Sequence, residues 1–327
     1  MEQIGHDPDF QKFMGKMYDH ARECHEFADI LSKSHLAPAR VDRMRHCSTY
    51  TQGTYCPKCK AYHVTQYSKC RDRLCPNCGW ALARERSARV ILTADNMLSR
   101  HPDMTAVHMV LTIKHTEGAA DLGDNIDRII LGFRLLMRSK SFRPYIYGYV
   151  RNIEILNDAG GFHPHLHAVL FVKPEYWDNM VSQDTLCHIW KRCIKADYLP
   201  VTWIEKAHQN PGKQGYSDYD EAIFEAVKYA IKTQQLRNLS PAELDMVAEA
   251  VTGKHLYQVG GGEFSTLYHQ TASISKTPYG EDAINGRCKW CGTDVREIVV
   301  QFDDDLAPKV YNVRPKHKTP IIQEETK

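Results

Sequence analysis

Apolar residues recur at helical spacing from Asp9 to Leu31, through Phe10, Phe13, Met14, Met17, Phe27, Ile30 and Leu31, which predicts a helical arm. A second helix is expected over Ala81 to Arg100, stopped by His101-Pro102. Ala106 to Ile113 reads as a buried strand, and Asp124 to Lys140 as an amphipathic helix carrying Ile126, Ile129, Ile130, Phe133, Leu136 and Met137. Two strands follow, Tyr145 to Leu156 and His163 to Val172, joined by the turn signal Asn157-Asp158-Ala159-Gly160-Gly161. A helix around Tyr176 to Ala196, a strand around Val201 to Lys206 and a helix from about Tyr219 to Leu236 complete the middle. This order predicts an α+β fold, a central and mostly antiparallel sheet with flanking helices. Expected boundaries are a helical arm over 1–45, a Cys-rich element over 46–85, a main domain over 86–250 and a C-terminal region over 251–327. From Leu256 the text reads as irregular, and Arg314 to Lys327 as a polar tail.

The alternation on the second hairpin strand carries chemistry. His163, His165, His167, Val169 and Phe171 share one face, and Leu166, Ala168, Leu170 and Val172 the other, wholly apolar one. If Leu156 stands opposite His163, Glu154 falls opposite His165 with His167 on the diagonal, neighbours at roughly 4.5–5.5 Å between Cβ atoms. Glu154, His165 and His167 then form a two-imidazole, one-carboxylate set with open coordination positions, suited to Mn²⁺ or Mg²⁺ bound together with a phosphate oxygen. The same histidines also satisfy the pattern of a histidine-triad nucleotide hydrolase, a reading that stays open.

On the helix expected after Tyr219, Ile223, Phe224, Val227, Ala230 and Ile231 form the apolar side, and Glu225, Tyr229 and Lys232 an opposite stripe. Making phenolate from a Tyr near neutral pH costs on the order of 4 kcal/mol, which a metal and a cation such as Lys232 can offset. Tyr229 is the candidate nucleophile, and Glu225 a candidate general base for water.

Charge changes the picture little: 42 Lys and Arg face 40 Asp and Glu, so any nucleic-acid contact must be local. Arg71, Arg73, Lys114 and Lys228 are candidate DNA contacts, and Arg84, Arg86 and Arg89 give the Ala81 helix a basic side. Eleven cysteines, most of them in close pairs, point to metal in a reducing compartment. Cys56, Cys59, Cys75 and Cys78 have zinc-ribbon spacing for a closed structural Zn²⁺ site; Cys47, Cys70, Cys288 and Cys291 leave open whether there is one site or two. Cys24, Cys187 and Cys193 are expected to be unligated. The start of the chain has no secretory pattern and no apolar run is long enough to span a bilayer, so a cytoplasmic protein with no membrane partner is expected.

Three motifs in order, Val110-Leu111-Thr112-Ile113, His163-Pro164-His165-Leu166-His167 and Tyr229-Ala230-Ile231-Lys232, together resemble the HUH (His-hydrophobic-His) endonucleases, and within them the rolling-circle replication initiators of small plasmids. The Glu225-to-Tyr229 spacing is similar to that of single-tyrosine initiators with a hydrolytic glutamate, and Cys70 to Trp80 to their Cys-rich element. The resemblance covers roughly Cys70 to Leu236. It implies a ferredoxin- or RRM-like palm, nicking of single-stranded or cruciform origin DNA through a 5′-phosphotyrosine, and transfer of the 3′-end to a host polymerase. No nucleotide-binding Gly-x-x-x-x-Gly-Lys-Ser/Thr loop is present, so ATP is not expected to bind and a host helicase would be needed. A homodimer is compatible with this. A related transposase or mobilisation relaxase also stays open, as does a non-catalytic zinc-bearing DNA-binding protein.

Overall fold

The structure, a computed structural model, describes residues 8–116, 119–158, 161–207, 219–227, 233–271, 283–284, 287–288 and 291–313. Tyr229, Lys228, Lys232 and the stretch from Arg314 lie outside the described residues. The chain runs through α1 (Pro8–Leu31), α2 (Pro38–Arg45), β1 (Tyr50–Cys56), β2 (Ala61–Tyr67), α3 (Pro76–Arg100), β3 (Thr105–Thr112) and α4 (Leu122–Arg138). It continues with β4 (Ile146–Asp158), β5 (Gly161–Val172), α5 (Gln183–Cys193), β6 (Thr202–Lys206), α6 (Asp220–Ala226), α7 (Thr233–Leu236) and α8 (Pro241–Val251). The last elements are β7 (Tyr257–Gly260), α9 (Gly262–Thr271), β8 (Ala283–Ile284), β9 (Arg287–Cys288), β10 (Arg296–Phe302) and β11 (Pro308–Val313). The expected α+β class, antiparallel sheets flanked by helices, is what forms.

Two compact units result. The larger, residues 27–42 and 71–276, is built on an antiparallel sheet ordered β6-β3-β5-β4-β7. On one face Leu166, Ala168, Leu170 and Val172 are fully buried, as are Ile126, Ile129 and Leu136 of α4. α4 packs on β5, with Phe133 edge-on to Tyr149 at 5.1 Å. On the other face Val150, Val169 and Phe171 are covered by Val90, Ala94 and Met97 of α3, Ile223 and Ala226 of α6, and Phe264 of α9. The run Gly260 to Gly262 lets the chain turn tightly over β4: Gly261 has φ +93°, and a Cβ there would stand 2.2 Å from the Gly148 Cα. Arg151, buried on β4, donates to the carbonyls of His255 (2.7 Å) and Leu256 (3.1 Å), fastening the approach to β7.

Local chemistry moved several boundaries. α3 starts at Pro76 rather than Ala81, because Cys75 caps it, accepting from the Cys78 amide, and Pro76 sits where its missing N–H is not needed. The helix expected over Tyr176 to Ala196 is divided into a 3₁₀ turn, Pro174–Asn179, and α5, because Ser182 caps a fresh start by accepting from the Thr185 amide. Phe224 is exposed, and Ala222 and Ala226 stand with Ile223 and Val227 on the buried side of α6, so the apolar stripe is rotated from the one expected.

The smaller unit, residues 1–26, 43–70 and 277–327, holds a sheet ordered β11-β10-β1-β2. Phe13, Met14, Met17 and Ala21 of α1 pack on Tyr55, Ile298, Val300 and Phe302, with Tyr62 stacked between Phe13 (4.8 Å) and Tyr55 (4.5 Å). The region after Leu256 is therefore not irregular: it supplies β7 and α9 to one unit and β10 and β11 to the other.

Candidate active site

The β4-β5 hairpin closes with Leu156 opposite His163 and Glu154 opposite His165, the register expected from the turn. His167 stands opposite Asn152, and its Nε2 lies 3.2 Å from Oε2 of Glu154, with both side chains mostly buried. The face changes character along β5. Val169 and Phe171 sit under the helices, whereas His163, His165 and His167 are half-buried beyond them, so imidazoles border an apolar floor.

Strand β3, whose Val110 to Thr112 belong to the first motif, also adds His108, which the sequence did not single out. Val110 pairs with His167 and Thr112 with His165, so His108 shares their face. Its ring lies 6.1 Å from that of His167 and nearly parallel, and its Nδ1 is 3.8 Å from Oε1 of Glu205 on β6. Burial first, and then His167, hold the His108 imidazole below the usual histidine range, against the upward pull of Glu205 and Glu225. That last influence sets Glu225, half-buried on α6, among the charges felt at this face. At the outer end His115 stacks on His163 at 4.9 Å, and His163 meets His165 edge-on at 6.0 Å. The alternation His108, Val110, Thr112 was visible in the sequence, but its register against β5 was not.

α6 is held on this face by its apolar side and by Tyr219, whose hydroxyl donates to Asp95 of α3. Residues 228–232, with Tyr229 and Lys232, follow directly.

The candidate DNA contacts separate. Lys114 is exposed just beyond β3, and Arg71 is exposed with φ +58°. Arg73 donates through Nη1 to the carbonyls of Val251 (2.6 Å) and Lys254 (2.8 Å), bracing the end of α8. The basic side expected on α3 is largely used internally: Arg86 lies over Tyr257 at 4.2 Å and Arg89 over Tyr268 at 3.7 Å, drawn in by cation-π packing. Arg84 lies over Trp80 at 4.8 Å.

In the smaller unit Cys56, Cys59, Cys288 and Cys291 bring their sulfurs within 4.8 Å of one another, a group able to hold a metal ion. Cys75 and Cys78, expected beside Cys56 and Cys59, are not in it; they open α3. The reason is strand pairing: Tyr55 stands opposite Arg296, so β10 carries the second Cys pair to the end of β1. The separations Cys56–Cys291, 3.5 Å, and Cys59–Cys288, 4.0 Å, straddle the edge of about 3.8 Å that a tetrahedron with Zn–S near 2.3 Å requires. Thr293 draws Cys291 down to about 6, while the hydrogen bond to Cys291 pushes Cys59 up to about 12. One thiolate is stabilised and the next resisted by crowding, a conflict that a divalent cation removes. Cys47 and Cys70 lie in the smaller unit, and none of the described cysteines forms a disulfide.

A family model described as a replication protein matches residues 61–293. Among curated relatives, the rep protein of Streptococcus pneumoniae serotype 2 is 28% identical over 191 residues, 56% of this chain and 55% of the relative. The rep protein of Lactiplantibacillus plantarum is 29% identical over 169 residues, 50% of this chain and 53% of the relative. A replication protein of Staphylococcus aureus is 26% identical over 199 residues, 57% and 81% of the two chains. The chain thus spans about half the length of the first two relatives. No solved structure matches it. Among the described residues no helix is long and apolar enough to cross a membrane.

Proposed function

The chain belongs to the replication-protein family, and from that membership we propose that it initiates rolling-circle replication of a plasmid by nicking one strand of its origin DNA. The observation that carries the reading is Glu154, opposite His165 and 3.2 Å from His167, on the sheet face that α6 packs against; Tyr229 follows α6 in the sequence. Glu154, His165 and His167 would hold Mn²⁺ or Mg²⁺. When bound, the metal polarises the scissile phosphate and neutralises its charge.

Tyr229 attacks the phosphorus. The phenolic oxygen forms the new bond, the bond to the 3′-oxygen breaks, and the phenol proton passes to that oxygen, leaving a 3′-hydroxyl and a 5′-phosphotyrosine. Lys232 offsets charge on the phosphoryl group, and Glu225 serves as base for water in a later hydrolysis that ends the cycle. Lys114, Lys228 and Arg71 contact the strand's phosphates, with Arg73 mainly a brace. Cys56, Cys59, Cys288 and Cys291 hold a structural Zn²⁺. Host helicase and polymerase complete the process in the cytoplasm.

The chemistry is tested by the ends it leaves. After Mn²⁺-dependent cleavage the 3′-end should prime a polymerase, while the 5′-end should resist phosphatase and kinase even after the protein is digested, because a tyrosyl peptide stays bonded to the phosphate. A free 5′-phosphate at first turnover contradicts the reading.

A further inference from the structure

We propose that Trp203, with Val201 beside it, is a stacking platform for an unpaired base of the strand being cut; this rests on the nicking reading. Trp203 is 55% exposed and Val201 72%, on the edge strand of the catalytic sheet. An exposed apolar edge invites association unless it has a use. Trp203 stands opposite Val110, which stands opposite His167, so indole and imidazole share a face. With strands about 4.8 Å apart, their backbones are roughly 10 Å from each other, within reach of nucleotides flanking the scissile phosphate.

The platform is held in place from below. Thr112 donates to the Val201 carbonyl through its amide (3.2 Å) and hydroxyl (2.8 Å), and the Lys114 amide donates to the Tyr198 hydroxyl at 2.6 Å. Thr202 and Ile204 point to the opposite face, Thr202 buried against Gln183. Glu205, next on the Trp203 face, is turned to His108 at 3.8 Å. Exposed Lys114 lies just past the strand that pairs with β6, so an aromatic face and a cation flank one track. That is the pairing single-stranded nucleic acid uses, its bases stacking and its phosphates meeting charge. A base in duplex offers no open π-face, so the site selects unpaired DNA.

The test measures binding by the full chain, without divalent metal, of fluorescein-labelled oligothymidylate and of an equally long strand lacking every base. Trp203→Ala should weaken oligothymidylate binding by roughly 5- to 150-fold, the span of ~1–3 kcal/mol per stacked base, and leave the base-free strand unaffected. Trp203→Phe should retain most of the affinity, and Lys114→Ala should weaken both strands. Unchanged oligothymidylate binding by Trp203→Ala, equal loss on both strands, or loss of self-association in place of DNA binding overturns the proposal. A base-dependent Trp203 effect in this metal-free test, with no covalent adduct when the unsubstituted chain is separately given Mn²⁺ and single-stranded origin-like DNA, would sink the nicking reading and keep the platform.

Discussion

Glu154 and His167 lie on adjacent strands, two residues off the direct pair, with Oε2 and Nε2 3.2 Å from each other. This diagonal sets a carboxylate beside an imidazole on a sheet whose reverse face is fully packed, so neither side chain needs a mobile loop for support. Glu154→Ala should reduce Mn²⁺ affinity and nicking by roughly 100-fold or more, since even outer-shell partners of metal ligands contribute 10- to 100-fold. Calorimetric Mn²⁺ titration of the Tyr229→Phe protein, with and without Glu154→Ala, reads this without catalysis. Equal affinities would remove Glu154 from the ligand set.

Glu225 occupies the half-buried margin of α6, and its charge is felt at His108. Glu225→Ala should keep the first nick and lose hydrolytic release, so the covalent adduct should accumulate over time. Release at the same rate in both proteins would mean that water is activated elsewhere.

The sulfur group joins residues far apart in sequence, Cys56 with Cys291 and Cys59 with Cys288. Structural zinc contributes on the order of 10 kcal/mol or more in small zinc peptides, so Cys288→Ser should lower zinc content and open the β1-β10 sheet to protease. Full zinc retention and unchanged proteolysis in Cys288→Ser would contradict a zinc site there.

α8 begins with a complete capping box, Ser240 accepting from the Glu243 amide while Glu243 accepts from the Ser240 backbone and hydroxyl. The Ser240 hydroxyl first, then its backbone N–H, holds the Glu243 carboxyl below its usual value near 4.5. A depressed folded-state pKa stabilises fully above that usual value, and the contribution is lost as pH falls through the depressed one. Ser240→Ala should cost about 1 kcal/mol at neutral pH and flatten that part of the acid decline, read by denaturant unfolding across pH. An unchanged midpoint would show that the cap is dispensable.

The legible parts of this chain were those fixed by neighbours in sequence. The turn signal in Asn157 to Gly161 was enough to predict the hairpin register, so Glu154 and the histidines could be related before any tertiary contact was known. The cysteine partnership could not, because spacing within each Cys-x-x-Cys pair says nothing about which pairs meet; that depended on β10 aligning with β1. β10 itself carried a readable signal, the period-two burial of Ile298, Val300 and Phe302, masked by the Gly-rich text before it. The basic face of α3 misled because arginine serves aromatic packing as readily as phosphate: Arg86 and Arg89 found Tyr257 and Tyr268, residues well over a hundred positions away. Trp203 gave no local sign, since exposure on an edge strand is a property of the assembled sheet.

The central claim joins the Glu154, His165 and His167 set to Tyr229 in one nicking centre. Incubation with single-stranded origin-like DNA and Mn²⁺, followed by denaturing electrophoresis and peptide mapping, tests it most directly. The account predicts a metal-dependent covalent protein–DNA adduct on the peptide containing Tyr229, absent in Tyr229→Phe and strongly reduced in His165→Ala. An adduct that forms as readily in Tyr229→Phe as in the unsubstituted chain would contradict it.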